Sequence, residues 1–225
     1  MRIRVLRQQS PHAEPHWESF AYDGPRDISV TGLLDYLNAH WHEDDVNDAG
    51  HATGQIWWEC SCLQGACGAC AMVINGVPAL ACDTFLRDIP GDELLLQPLQ
   101  KFPVVRDLVV DRTSIHESLT SCNVYIGEYR PKRGERHAHQ YEAAKCLKCG
   151  LCLEVCPNYT SGNTFFGAVF ANDCYLVCAR NRERSQEVKK AYARHFGNAC
   201  SKSLACMDVC PMRIPTIASM ARLNR

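Results

Sequence analysis

Along the first hundred residues, apolar and polar positions alternate in short bursts. In "RIRVLRQ", 2–8, Ile3, Val5 and Leu6 alternate with Arg2, Arg4 and Arg7, a period near two that predicts a β-strand. "HWESFAY", 16–22, predicts a second strand paired with it. The period then changes. In "SVTGLLDYLNAH", 29–40, Val30, Leu33, Leu34 and Leu37 fall on one helical face and Ser29 stands at the N-cap. "AMVINGVPALAC", 71–82, predicts a hairpin, because Asn75-Gly76 suits a two-residue turn between short apolar strands. "ELLLQPL", 93–99, predicts one more strand.

From Val105 onward the pattern reads as helical: "VRDLVVD", "NTFFGAVFANDCYLVCARN", "RSQEVKKAYARHF" and "IPTIASMARLN". This places a domain boundary at 104/105, with a mixed strand-and-helix domain over 1–104 and a helical one over 105–225. The polar segments 42–54 and 129–140 ("YRPKRGERHAHQ") read as a surface loop and a solvated linker. The acidic residues of the first do not demand a cation, and the basic residues of the second carry only one aromatic, Tyr129.

Composition narrows the class. With 225 residues and 46% apolar positions, the chain can bury a core in each of two domains. A formal net charge of −1 gives no general attraction to nucleic acid or anionic lipid. No apolar run approaches the length of a bilayer span, and the opening "MRIRVLRQ" lacks the apolar stretch of a signal peptide. The expected compartment is therefore a cytosol, where thiols stay reduced.

Fifteen cysteines then need a reason. In a cytosolic chain they point to metal ligands rather than disulfides. Cys62, Cys67 and Cys70, followed by Cys82, have the spacing of a plant-type ferredoxin loop, which holds a 2Fe–2S cluster on four thiolates. Gly65 and Gly68 would let backbone amides approach the sulfurs. A structural zinc site is the alternative, and the three-plus-one loop with two glycines favours the iron cluster.

The remaining ligand candidates form a repeat. "CLKCGLCLEVCP", 146–157, recurs as "CSKSLACMDVCP", 200–211, with the cysteine registers coinciding except at Ser203. In two-cluster ferredoxins the fourth cysteine of each run serves the other run's cluster. Cys146, Cys149 and Cys152 would then share a 4Fe–4S cluster with Cys210. The partner cluster would receive Cys156, Cys200 and Cys206 and no fourth thiolate. The expected product is a 3Fe–4S cluster, with a 4Fe–4S cluster ligated by the Ser203 oxygen as the alternative. Cys60, Cys122, Cys174 and Cys178 are left over. Cys60 breaks the loop spacing, and the others read as buried free cysteines.

Together, the 2Fe–2S loop "CSCLQGACGACAMVINGVPALAC", the phrase "PLQKFPVVRDLVVD" and the paired cysteine runs resemble the iron–sulfur subunit of succinate dehydrogenase and fumarate reductase. The resemblance implies an α+β protein, an N-terminal β-grasp (plant-type 2Fe–2S ferredoxin) domain followed by an all-α, bacterial-ferredoxin-like domain. It implies a partner flavoprotein with covalent FAD that interconverts succinate and fumarate, membrane-anchor subunits, and a quinone as the other redox partner. It also implies a peripheral position on the cytoplasmic side of a bacterial or archaeal inner membrane. Ubiquinone-reducing members carry a tryptophan five residues after the equivalent of Cys156 and a histidine just after that of Cys200. Ser161 and Ser201 stand there in this chain, so menaquinone is the expected partner. The chain shows no acid–base or nucleophile constellation of its own, so no catalytic residue is expected on it. Other readings are an iron–sulfur subunit of a different flavoprotein complex, an iron–sulfur sensor, or a structural zinc protein.

Overall fold

The computed structural model describes residues 1–42, 53–127 and 138–225. Most of the loop expected at 42–54 and most of the linker expected at 129–140 lie outside the described residues. The chain forms two compact units, Met1–Asp111 and Arg112–Arg225, within an α+β protein.

The first unit is built on a five-stranded sheet. Its strands are β1 (Arg2–Arg7), β2 (His16–Ala21), β3 (Ala71–Ile74), β4 (Val77–Leu80) and β5 (Glu93–Gln97) in the order β2-β1-β5-β3-β4. β1 runs parallel to β5, and the other neighbours are antiparallel. The period-two pattern of β1 turns Ile3, Val5 and Arg7 inward, and β5 contributes Leu94 and Leu96 to the same core. Helix α1 (Val30–Ala39) buries Val30, Leu33, Leu34 and Leu37. Its first turn is closed by the Ser29 hydroxyl, which accepts from the Gly32 amide at 3.2 Å. Asn75 and Gly76, both at positive φ, make the tight turn between β3 and β4.

The segment "VRDLVVD" departs from the helical expectation. It forms a small hairpin of β6 (Val104–Arg106) and β7 (Val109–Val110). The decisive residue is Asp107, fully buried and turned to φ 47. Its carboxylate accepts from the Gln8 and Trp57 amides, both at 3.0 Å, and pairs with Arg7 Nε at 3.1 Å. Arg7 also reaches Glu18 at 2.7 Å and donates to the carbonyls of Gly54 and Gln55. These long-range partners, with three β-branched valines, outweigh the helical spacing.

The second unit has helices α2 (Thr113–Ser121), α3 (Ala138–Ala144), α4 (Leu151–Glu154), α5 (Gly167–Arg180), α6 (Ser185–His195), α7 (Ala205–Asp208) and α8 (Thr216–Leu223). α5 is its axis. It is buried all round from Gly167 to Tyr175 and packs against α2, α3, α4, α6 and α8. Its one central amide, Asn172, is satisfied by the Ala143 carbonyl at 2.8 Å and the Ser219 hydroxyl at 3.4 Å. The end of the expected linker belongs to this packing. Residues 138–140 begin α3, and His139 stacks edge-on against Tyr175 and meets the Ser219 hydroxyl at 3.2 Å, so it is no solvated linker residue.

Candidate metal centres

In the first unit the loop before β3 curls back on itself. Leu63, Gly65 and Gly68 take positive φ, which turns successive amides toward the cysteine sulfurs. Gln64 and Ala66 donate to Cys62 Sγ at 3.4 and 3.3 Å, and Ala69 donates to Cys67 Sγ at 3.5 Å. The β3–β4 hairpin returns Cys82 to the same place. Its amide donates to Cys70 Sγ at 3.4 Å, and its own sulfur accepts from Gly65 at 3.2 Å. Cys62, Cys67, Cys70 and Cys82 are thus brought together inside a fence of amide donors. Those amides, Gln64 first, together with the Cys67 thiol lower the Cys62 thiol to about 7, whereas burial pushes Cys70 up to about 12. Cys60 is exposed, and none of these amide–sulfur bonds involves it.

The second unit repeats one local structure twice. Lys148 and Gly150 flank Cys149 in left-handed conformations, and Lys202 and Leu204 flank Ser203 in the same way. Each run then makes one helical turn, α4 or α7, stabilised by matching bonds. Leu153 N donates to Gly150 O at 2.9 Å, and Met207 N to Leu204 O at 2.7 Å. α4 and α7 pack against one another, so the ends of the two runs cross. One cavity is lined by Cys146, Cys149, Cys152 and Cys210 together with Val169 and Met212. A second is lined by Cys156, Cys200, Cys206 and Ser203 together with Phe165, Phe196 and Met220. Burial raises the thiols here: Cys149 and Cys206 to about 11, and Cys146 and Cys152 above their ordinary value.

Among the described residues, no three His, Cys, Asp or Glu side chains are placed to share a single metal ion. The first unit's thiols are met by amide donors and the second unit's line two cavities, an arrangement suited to iron–sulfur clusters.

Residues 2–117 match the family model of a 2Fe–2S iron–sulfur cluster binding domain, and residues 142–214 match that of a 4Fe–4S dicluster domain. The succinate dehydrogenase iron–sulfur subunit of Bacillus subtilis is 34% identical over 236 residues, covering 100% of this chain and 91% of the relative. The fumarate reductase iron–sulfur subunit of Escherichia coli O157:H7 is 30% identical over 230 residues, covering 98% and 90%. This chain belongs to the family of succinate dehydrogenase and fumarate reductase iron–sulfur subunits. A solved chain of the Mycobacterium smegmatis Sdh1 complex in the apo form shares the fold, with a TM-score of 0.70 at 24% identity over 99% of this chain and 94% of that one.

As an iron–sulfur subunit of this family, the chain is an electron-transfer component of an oxidoreductase, with 2Fe–2S and 4Fe–4S binding domains. No described helix is long and apolar enough to cross a membrane. The leftover cysteines of the second unit sit apart from both cavities. Cys174 is fully buried in α5 and its thiol is raised by burial, while Cys178 Sγ donates to the Ser185 carbonyl at 3.7 Å. Cys122 caps α2. Ser201 lines the second cavity, and its hydroxyl donates to Asn158 Oδ1 at 2.6 Å. Sequence reasoning missed the amide donors Gln64 and Ala66 and the wall residue Lys148. Only the glycines of the loop hinted at the former.

Proposed function

We propose that this chain relays electrons singly between the FAD of a partner flavoprotein and a quinone, menaquinone by preference, in a succinate- or fumarate-converting complex. When bound, a 2Fe–2S, a 4Fe–4S and a 3Fe–4S cluster would supply the one-electron steps. Cys62, Cys67, Cys70 and Cys82 would hold the first, in a β-grasp ferredoxin domain. In a helical ferredoxin-like domain, Cys146, Cys149, Cys152 and Cys210 would hold the second, and Cys156, Cys200 and Cys206 the third.

The observation that carries the reading is the exchange of cysteines between the two cavities. Cys210 joins the first run and Cys156 joins the second. Spacing alone suits several metalloproteins, whereas this exchange suits a two-cluster ferredoxin. Ser203 lines the second cavity where Cys149 lines the first, which supports the loss of one iron there. Phe165, Phe196 and Met220 limit water at that cavity. Ser161 and Ser201, in place of the tryptophan and histidine of ubiquinone-reducing members, support menaquinone. The substrate chemistry would lie on the flavoprotein. The chain would reach the cytoplasmic face of the inner membrane through anchor subunits.

Iron analysis and EPR of the anaerobically purified complex test this. About nine irons per chain and an oxidised 3Fe–4S signal are expected. Ser203→Cys should abolish that signal and add about one iron. Zinc in place of iron, or an unchanged 3Fe–4S signal in a folded Ser203→Cys complex, would overturn the assignment at the corresponding level.

A further inference from the structure

The first cavity of the second unit has a charged wall. Lys148 lies between Cys146 and Cys149 at φ 56 and lines the cavity beside all four cysteines. Its ammonium is ion-paired with the carboxylate of Asp173, which comes from α5, stands at 13% side-chain exposure and does not line the cavity. The pair is therefore placed with Lys148 among the cavity's lining residues and Asp173 outside them. Lys202, at the matching point of the second run, also lines its cavity but is exposed.

A half-buried pair is a weak source of stability, because side-chain ordering and partial desolvation offset most of its attraction. Its position at the cavity gives it another consequence. Accepting one electron there adds one unit of negative charge, makes and breaks no bond and requires no proton. A positive charge beside the cavity, half-buried at 27% side-chain exposure, favours that step, and a negative charge opposes it. We propose that the Lys148–Asp173 pair sets the reduction potential of the cluster held by Cys146, Cys149, Cys152 and Cys210. This inference rests on the ligand assignment proposed above.

EPR-monitored redox titration of the purified complex, with dithionite as reductant, tests it. Lys148→Met should lower the midpoint of the 4Fe–4S signal, because Asp173 is left unopposed. Asp173→Asn should raise it, because Lys148 is left unopposed. Each shift is expected on the order of tenfold in the one-electron equilibrium, ~59 mV. The double variant should fall between them, and Lys148→Arg should keep the wild-type value. The midpoint of the 2Fe–2S signal serves as an internal control and should not move. Unshifted midpoints in both single variants at full iron content would overturn the proposal while leaving the ligand assignment intact. A wild-type complex with no 4Fe–4S signal would overturn both. If Asp173→Asn fails to assemble, the direction of the Lys148→Met shift decides.

Discussion

Replacing Gly167 by alanine should destabilise the second unit by about 2–4 kcal/mol and disturb one of its cavities. Gly167 opens α5 at φ +72, a conformation that costs an L-residue about 1–2 kcal/mol. An added Cβ would lie 2.1 Å from Leu153 Cδ2. Leu153 is 1% exposed and cannot swing into solvent. Forcing it aside adds roughly 1–3 kcal/mol of overpacking. Restricting the unfolded chain returns only about 0.4–1 kcal/mol. Gly162 isolates the contact. It has φ +83 and no neighbour within 4 Å of an added Cβ, so Gly162→Ala meets the backbone cost alone. Leu153 follows Cys152 in α4, so its displacement should reach the cavity. Anaerobic thermal melts of the two variant complexes, run with iron retention as a second readout, give the comparison. Gly167→Ala should melt well below Gly162→Ala and lose iron faster. Equal melting of the two would show that Leu153 repacks freely and refute the reasoning.

Three further outcomes are expected. Asp107→Ala leaves Arg7 Nε and the Gln8 and Trp57 amides without their acceptor inside the first unit, while Glu18 still pairs with Arg7; it should cost about 2–5 kcal/mol in denaturant titration, and a loss under about 1 kcal/mol would contradict the buried clamp. Cys62→Ser should disrupt the 2Fe–2S EPR spectrum and Cys60→Ser should leave it intact; the reverse would move the loop register. The thiols of Cys146, Cys149, Cys152 and Cys206 are raised above the ordinary value by burial, so these four are protonated at neutral pH when no cluster is bound. Ligation needs thiolates, so cluster assembly should release protons and become more complete as pH rises. Iron uptake during reconstitution that is flat across pH would argue against thiol ligation at these positions.

Local signals were legible where the chain satisfies them locally. The Ser29 cap, the Asn75-Gly76 turn and the single-faced α1 need only neighbours within a few residues. The repeat was also legible, because the two runs are identical at six positions and take the same local turn. "VRDLVVD" was not. Its apolar spacing is helical, and what overrides it is a set of partners far away in the chain: Gln8, Arg7 and Trp57. His139 was hidden for the same reason, since its polarity said linker while Tyr175 and Ser219 hold it in the second unit. Lys148 reads as an ordinary surface lysine until Asp173 is seen to come from α5.

The two runs show how little separates their cavities. Leu204 occupies the left-handed position that Gly150 occupies in the first run, at about 1–2 kcal/mol for a residue with a Cβ. That cost is tolerated, so the backbone path is not dictated by glycine. In both runs the residue between two left-handed neighbours, Cys149 or Ser203, is turned into its cavity's lining. Ser203 therefore stands on the same local backbone as Cys149, presenting oxygen instead of sulfur from a more exposed position. On the proposed ligand assignment, Ser203→Cys should then complete the second site without backbone rearrangement, because soft thiolate suits an iron–sulfur corner better than a hard hydroxyl oxygen does.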